Sequence, residues 1–284
     1  MILRPLRAWH GRRITTFAGV AALVAAGAIA IACGIDAVAT KVDLADGAEA
    51  ATEASLPKSD APYETTTADA DADPLSCPTA NGAMVAVDAG GLFFCIDATE
   101  VTTGAYDAFV VATGGGKVDS GVFDAGAPAA CAANTTYARG DSGDAPDLPV
   151  ARIDWCDAYD YCKWAGKHLC EKQGAGDAST GEWYAACSSG GKQAFPYGAT
   201  FQPGACNEAG AVKPVKSFPG CQGSVPGLYD MNGNLSEWVD SCTSGSCSTM
   251  GGYYLWSNTC ATDYEYPRTQ TDPTIGFRCC AKPR

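Results

Sequence analysis

The alternation of apolar and polar positions predicts short strands near residue 90 and again close to the C-terminal end of the given sequence. Residues 84–88 and 92–96 alternate around Gly90-Gly91 and predict a β-hairpin. Short strands are predicted again within residues 275–280, and most of the remaining chain is rich in glycine, serine and aspartate. The pattern indicates an α+β fold with long loops.

Helical spacing of apolar residues occurs three times between these strands. We expect Thr103 to cap the first helix, Asp154 to precede the second, which ends at Gly166, and Ser179 to begin the third. Ser179 and Glu182 have the spacing of a capping box. The apolar positions that carry the helical spacing are Tyr106, Phe109, Val110, Ala158, Tyr159, Cys162, Ala165, Trp183, Ala186 and Cys187.

Residues 1–33 have the pattern of an export signal. Four arginines precede an apolar stretch at residues 17–32, which is too short and too rich in alanine to span a membrane comfortably. The small residues before Cys33 resemble a bacterial lipobox, which predicts a lipid anchor on Cys33 and a place in the bacterial cell envelope, at the outer membrane or the periplasmic face. A cleaved signal without lipid and an uncleaved anchor are the alternatives, and Arg12-Arg13 also permits twin-arginine export.

The cysteine count favours the same compartment. The chain has 15 cysteines, so lipidation of Cys33 leaves an even number that disulfides can use completely. Such density indicates an oxidising space outside the cytoplasm. A zinc site is the alternative, but His168 is the only histidine after Cys33, and Cys279 and Cys280 are adjacent, which zinc sites do not favour.

Charge and composition divide the rest of the chain. The net charge is −13, and four of the 19 basic residues precede Cys33 whereas all 32 acidic residues follow it. Such an acidic protein is not expected to bind nucleic acid or anionic lipid heads. Residues 34–76, rich in alanine, threonine and aspartate, predict a disordered acidic tether. A folded domain is expected at residues 77–284.

Several segments in order then resemble one family. They are residues 94–102 (FCIDATEVT), 154–167, 227–238 (GLYDMNGNLSEW), 251–252 (GG) and 276–279 (GFRC). This order resembles the formylglycine-generating enzyme, or sulfatase-modifying factor, domain family. The resemblance implies an elaborated C-type-lectin-like fold, loop-rich and disulfide-rich.

The resemblance also implies two disulfides, Cys162 to Cys279 and Cys187 to Cys260. Proximity in the inferred fold suggests five more. These are Cys77 to Cys95, Cys131 to Cys156, Cys170 to Cys280, Cys206 to Cys221, and Cys242 to Cys247.

The same resemblance places two copper-binding cysteines between the GG pair and Cys260. The segment 253–259 is shorter than in such enzymes and contains no cysteine. Ser236 stands where the family has the first tryptophan of WEW, Tyr253 where it has the serine of GGS, and Thr274 where it commonly has asparagine. We therefore expect no copper site and no catalytic residue. His168 alone cannot supply a histidine-rich iron site, and we expect it to be a satisfied, half-buried side chain instead of a member of a catalytic triad.

One metal site of the family can be carried over. Asp230 and Glu237 offer carboxylates, and Gly233 and Leu235 offer backbone oxygens, a set that suits structural calcium. The alternative is a turn closed by Asp230 with a buried, hydrogen-bonded Glu237. A second family site that would begin at Asn207 lacks its downstream ligands. Four tryptophans have helical or motif spacing, and we expect them in the core instead of stacking on a ligand. They are Trp155, Trp164, Trp183 and Trp238.

Two functions remain open from the sequence. The favoured hypothesis is a non-catalytic, lipid-anchored domain that binds a protein or glycan or acts as a scaffold. The alternative is an active formylglycine-generating oxidase or another modifying enzyme with a different metal arrangement, with Cys242 and Cys247 as the nearby thiol pair.

Overall fold

Two four-stranded sheets and three α-helices make up the described part of the chain. The structure is a computed structural model that describes residues 76–116, 128–137, 139–140, 143–172, 181–223 and 225–284. The predicted export signal and all but the last residue of the predicted tether lie outside these residues. The elements are β1 (Met84–Asp88), β2 (Phe93–Asp97), α1 (Thr103–Thr113), α2 (Trp155–Trp164), β3 (His168–Leu169), α3 (Glu182–Ser188), β4 (Ser236–Thr243), β5 (Ser246–Met250), β6 (Asp263–Pro267), β7 (Ile275–Phe277) and β8 (Cys279–Ala281).

The two sheets share the C-terminal end of the chain. The first sheet has the order β1-β2-β8-β3 and its neighbouring strands are antiparallel. The second has the order β6-β5-β4-β7, in which β4 and β7 run parallel and the other pairs antiparallel. Because β7 and β8 are separated by Arg278 alone, the chain changes sheet at that residue.

The predicted hairpin is present, with its second strand one residue later than expected. The Asp88 carboxylate accepts hydrogen bonds from the backbone N–H groups of Gly90 and Gly91, at 3.2 and 3.4 Å. Both glycines have positive φ, at 74° and 104°, which a side chain would oppose. The turn therefore extends through Leu92, and β2 begins at Phe93.

The first helix is capped by Thr102, so the predicted cap at Thr103 is wrong. Thr102 has extended backbone angles, and its Oγ1 accepts from the N–H of Ala105 at 3.3 Å. Thr103 is already helical, and its hydroxyl donates to the carbonyl of Ala145 at 2.6 Å. Two adjacent threonines cannot be distinguished by composition; the bridge between Thr102 and Pro149 keeps Thr102 extended.

The second helix begins as expected, because Asp154 accepts from the N–H of Asp157 at 2.8 Å. Its end is followed by Gly166 at φ 74°. The third helix begins at Glu182, and Ser179 lies outside the described residues. The Glu182 carboxylate bonds to His168 and to the N–H of Glu171.

The core lies where the helices cover the sheets. Trp155, Trp183 and Trp238 are buried and Trp164 packs against the core, so the expectation that these tryptophans are core residues is met. The buried indoles have polar partners: Trp155 donates to Val239 O at 2.9 Å, and Trp238 donates to Ile153 O at 2.8 Å. Trp155 thus connects α2 to β4, and Trp238 connects β4 to the loop before α2.

Seven disulfides join the described cysteines in the same seven pairs that the sequence suggested. The list is Cys77 to Cys95, Cys131 to Cys156, Cys162 to Cys279, Cys170 to Cys280, Cys187 to Cys260, Cys206 to Cys221, and Cys242 to Cys247. This density indicates an oxidising, extracytoplasmic compartment. Within the described ranges, none of the helices combines the length and the apolar character that a membrane span requires.

Candidate functional site

Arg278 connects the two sheets at the point where the chain passes from β7 to β8. Its side chain is fully buried, and its Nε and Nη2 donate to the two carboxylate oxygens of Glu237, both at 2.7 Å. The indole of Trp183 donates to the same carboxylate at 2.7 Å. A paired, two-point contact of this kind is the strong form of a charge-assisted hydrogen bond.

The other donors of Arg278 bind backbone carbonyls from different segments. Nη1 donates to Asp97 O at 3.1 Å, and Nη2 donates to Tyr229 O and Asp230 O at 3.0 and 3.2 Å. Asp97 is at the end of β2, and its Oδ1 accepts a hydrogen bond from Lys167 Nζ at 2.6 Å. We call this set of contacts around Arg278 and Glu237 the sheet junction.

The sheet junction bears directly on the expected calcium ligands. Glu237 is already neutralised by Arg278, and Asp230 Oδ2 accepts from the N–H of Lys216 at 2.7 Å. A cation bound by Glu237 would lie beside a guanidinium, which repels it. The contacts of Asp230 and Glu237 are those of the alternative, a closed turn with a buried, hydrogen-bonded Glu237. Calcium held by Asp230, Gly233, Leu235 and Glu237 stays a prediction.

Glu100 is a second buried acid at this junction, and no role was assigned to it from sequence. Its carboxylate accepts from the N–H of Leu235 at 3.3 Å and lies near the amide of Asn234. Burial raises the pKa of Glu100 well above its usual range, and the negative charges of Asp230 and Glu237 raise it further. The Glu100 carboxyl group therefore holds the loop that leads into β4.

Ser236, the residue before Glu237 in β4, lines a cavity instead of joining the sheet junction. The cavity has a volume of about 410 Å³ and is lined by Ser236, Tyr253, Trp256, Asn258, Tyr264, Tyr266, Asp272 and Thr274. Ser236, Tyr253 and Thr274 are three of the positions at which the sequence departs from the family it resembles. The structure thus brings the three departures together, although 38 residues separate the first from the last in sequence. We call this cavity the aromatic pocket.

A tight turn and the strand β6 position the aromatic residues of the pocket. A tight turn places Tyr253 and Trp256 together, with mutual backbone hydrogen bonds of 2.9 and 2.8 Å. A Cβ at Gly252 would collide with Trp256 O and with Asn232 Oδ1, so the turn requires glycine there. Tyr264 and Tyr266 come from alternate positions of β6 and therefore share a face.

The polar groups of the aromatic pocket are largely bonded within the protein. Thr274 donates its N–H and its hydroxyl to Asp272 Oδ1 at 2.9 and 2.6 Å. Ser236 Oγ and Asn258 Nδ2 both face Gly251 O, at 3.5 Å. Burial raises the pKa of Tyr266, and the nearby Asp272, Tyr253 and Tyr264 raise it further, which places these groups close together.

The aromatic pocket lacks the groups of the family's copper chemistry. None of its eight described lining residues is a cysteine, a histidine or a basic residue. Cys260 is bonded to Cys187, and the thiol pair of the alternative hypothesis, Cys242 and Cys247, is closed on itself. His168 is about a third exposed and lies 2.9 Å from Glu182, so it has the satisfied, half-buried environment expected for it.

Sequence reasoning missed Trp256 and Tyr264, which carry the open face of the aromatic pocket. Trp256 is 63% exposed and Tyr264 is 45% exposed. Their signal in the sequence is weak, because a tryptophan in a loop and a tyrosine in a short strand are as common in cores as in sites. Only the pairing of β5 with β6 places them on one surface.

Comparison with known proteins identifies the family of this chain. Residues 80–283 match the family described as the sulfatase-modifying factor enzyme 1-like domain. The chain is 36% identical over 110 residues to an inactive C-alpha-formylglycine-generating enzyme 2 of Bos taurus, covering 34% of this chain and 33% of that protein. It is 29% identical over 182 residues to a formylglycine-generating enzyme of Thermomonospora curvata, covering 49% of this chain and 57% of that protein. It thus spans less than two thirds of either relative.

Two solved structures share the fold. The structure of PvdO from Pseudomonas aeruginosa matches with a TM-score of 0.50 and 20% identity, over 70% of this chain and 90% of that one. The crystal structure of CarF matches with a TM-score of 0.50 and 20% identity, over 71% and 98%. The predicted sulfatase-modifying-factor variant of the C-type-lectin-like fold is therefore confirmed at the level of the fold.

Proposed function

The chain belongs to the sulfatase-modifying factor enzyme 1-like domain family, and we propose that it is a non-catalytic member that binds a ligand in the aromatic pocket. Its domain is an exported recognition module, held at the membrane by lipid on Cys33. The pocket lies beside β4 and the turn after Gly251-Gly252, and its lining includes four aromatic residues and one carboxylate.

One observation carries the proposal: Ser236, Tyr253 and Thr274 lie in one cavity whose described lining contains no thiol. The copper chemistry that the family resemblance implies uses two free thiolates that share one Cu(I) ion, a soft ion that thiolates suit. The cysteines of the described domain are bonded in pairs, so a thiolate would have to come from a reduced disulfide. The likeness to an inactive relative, over about a third of the chain, is in keeping with this proposal.

The test is an assay for aldehyde formation. The protein is loaded with copper and incubated under oxygen, with reductant, with a peptide that bears the sulfatase cysteine motif. We expect no aldehyde above a copper-only control. Turnover above that control would overturn the non-catalytic proposal and support the alternative of a modifying enzyme.

A thiol measurement addresses the alternative directly. Cys242 and Cys247 are joined across the β4–β5 turn, and a modifying enzyme that used them would need them free. Labelling of the purified native protein with a thiol reagent is expected to modify no cysteine. The Cys242→Ala, Cys247→Ala double variant is the control: if it abolished any turnover, those two thiols would be assigned to the chemistry.

The lipid anchor is tested on the N-terminal peptide. Small residues before Cys33 and the odd number of cysteines support acylation there. Mass spectrometry of the membrane-extracted protein is expected to show an acylated Cys33 as the first residue. The Cys33→Ser variant is expected to leave the membrane fraction. An intact Met1, or an unmodified terminus at another position, would contradict the anchor.

A further inference from the structure

The aromatic pocket has a composition that suits a positively charged organic ligand. Four aromatic side chains, Tyr253, Trp256, Tyr264 and Tyr266, line it together with one carboxylate, Asp272. We propose that the pocket binds an alkylammonium group, such as an N-methylated or primary ammonium at the end of a lysine-like chain. This inference rests on the proposed binding function and specifies the chemistry of its ligand.

Aromatic faces attract a cation through the negative charge above and below each ring. Tryptophan is the strongest of these side chains, and Trp256 presents most of its surface to solvent at the mouth of the pocket. Tyr264 is also partly exposed, whereas Tyr253 and Tyr266 are less so. A ligand that enters past Trp256 therefore meets further rings inside.

Asp272 supplies the counterion. Its Oδ1 is held by both the N–H and the hydroxyl of Thr274, which orients the carboxylate, and its Oδ2 takes part in neither of those bonds. No lysine, arginine or histidine belongs to the described lining. A net charge of −13 over the whole chain further favours the approach of a cation over that of an anion.

A neutral sugar fits this lining less well. Sugar recognition needs side-chain donors and acceptors that are free to bind hydroxyl groups. The donors of Thr274, Ser236 and Asn258 are directed to Asp272 or to Gly251 O within the protein. The rest of the lining is the four aromatic rings, with their tyrosine hydroxyls and indole N–H, and the carboxylate of Asp272, in a cavity of about 410 Å³ that suits one small head group.

The experiment compares three probes that differ only in the head group. They are the N-acetyl, N-methylamide derivatives of trimethyllysine, of lysine, and of the neutral carbon analogue in which a tert-butyl group replaces trimethylammonium. Binding to the folded domain is followed by the proton spectrum of the probe, because methyl protons above aromatic rings move upfield. We expect an upfield shift and an affinity at least tenfold higher for trimethyllysine than for its neutral analogue.

Matched variants locate the binding. Trp256→Ala removes the most exposed ring and is expected to weaken trimethyllysine binding at least tenfold. Leu255→Ala is its control, since Leu255 is 58% exposed in the same turn but does not line the pocket. Asp272→Asn keeps an oxygen to accept from Thr274 while it removes the charge, and should reduce the preference for charged over neutral probe.

Equal binding of the charged and neutral probes, or unchanged binding in Trp256→Ala, would overturn the cation assignment. Saturable binding of a neutral oligosaccharide, in the absence of any probe binding, would also overturn it and would leave the proposed recognition function in place. Aldehyde formation in the copper assay would instead overturn the proposed function, so the two failures are distinguishable. Since Trp256 is at the surface, its variant is expected to fold, and the comparison remains decisive even if Asp272→Asn does not.

Discussion

The sheet junction and the aromatic pocket meet at adjacent residues of β4 but have opposite character. Ser236 lines the pocket and Glu237, the next residue of β4, is bonded to Arg278 in the junction. Side chains alternate across a strand, so one strand serves both regions. The junction retains the motif residues of the family, and the pocket contains its departures. The junction therefore has the character of a structural element, and the pocket that of a candidate site.

The largest expected effect concerns the long disulfide next to the junction. Cys162 and Cys279 are 117 residues apart, whereas Cys242 and Cys247 are 5 apart. Loop-closure entropy predicts a loss of about 5 kcal/mol for Cys162→Ala with Cys279→Ala, and about 2 kcal/mol for the short pair. Urea unfolding of the two double variants measures both. Equal losses would show that the frame does not depend on the long closure.

A second prediction tests the junction itself. Arg278→Met should lower the free energy of unfolding by about 3 to 5 kcal/mol, because it leaves the carboxylate of Glu237 buried without its partner. The double variant Arg278→Met, Glu237→Leu should recover much of that loss, since it removes both charges. Denaturant titration of the single and double variants gives the comparison. A double variant no more stable than Arg278→Met would contradict the charge argument.

A third prediction contrasts Glu237 with an acid whose hydrogen bonds to described residues include no basic side chain. Asp157, in α2, accepts from Asn134 at 2.6 Å, and burial followed by the nearby Asp154 raises the pKa of Asp157 to about 7. Because its pKa is raised on folding, its contribution to stability is present below about pH 4 and is lost as the pH rises to about 7.

The Asp157→Asn variant isolates this effect. It should match the wild type near pH 4 and be more stable at pH 8, by on the order of 2 to 4 kcal/mol. The variant keeps an oxygen that can accept from Asn134, so the hydrogen bond is controlled for. Thermal melts from pH 4 to pH 8 provide the measurement, and a constant difference across that range would exclude the titration of Asp157 as the cause.

Substitutions in the aromatic pocket should change the free energy of unfolding far less than substitutions in the sheet junction. Trp256→Ala and Tyr264→Ala change exposed side chains, so each should alter the free energy of unfolding by no more than about 0.5 kcal/mol. Thermal melts of both variants, with Leu255→Ala as a reference, check this. A loss of several kcal/mol would show that these rings support the frame instead of forming a site.

The smallest expected effect is that of calcium. With Arg278 paired to Glu237, removal of calcium by chelator should leave the melting temperature unchanged. A site that held calcium a hundredfold above its dissociation constant would contribute about 2.7 kcal/mol. A melting temperature that falls with chelator in the wild type, and not in Glu237→Ala, would restore the calcium site that the sequence suggests.

Local patterns in the sequence were sufficient for the first hairpin, the three helices and the last strands, but they did not locate β3, β4, β5 or β6. The cap at Asp154, the spacing of apolar positions in α2 and the turn at Gly90-Gly91 are set by interactions within a few residues. The motif order was sufficient for the family and its fold. Two of the cysteine pairs followed from the resemblance and the other five from proximity in the inferred fold. Where adjacent residues compete, as Thr102 and Thr103 do, the outcome depends on the bridge to Pro149.

Tertiary structure alone decided what Glu237 and the pocket residues do. The sequence places Glu237 seven residues after Asp230, a spacing that suits a metal loop, but the change of sheet at Arg278 brings a guanidinium to that carboxylate from 41 residues away. Likewise the pairing of β5 with β6 sets Tyr264 and Tyr266 beside the turn that carries Trp256. Contacts between distant segments are not encoded in spacing, because they depend on how the chain closes its two sheets around one core.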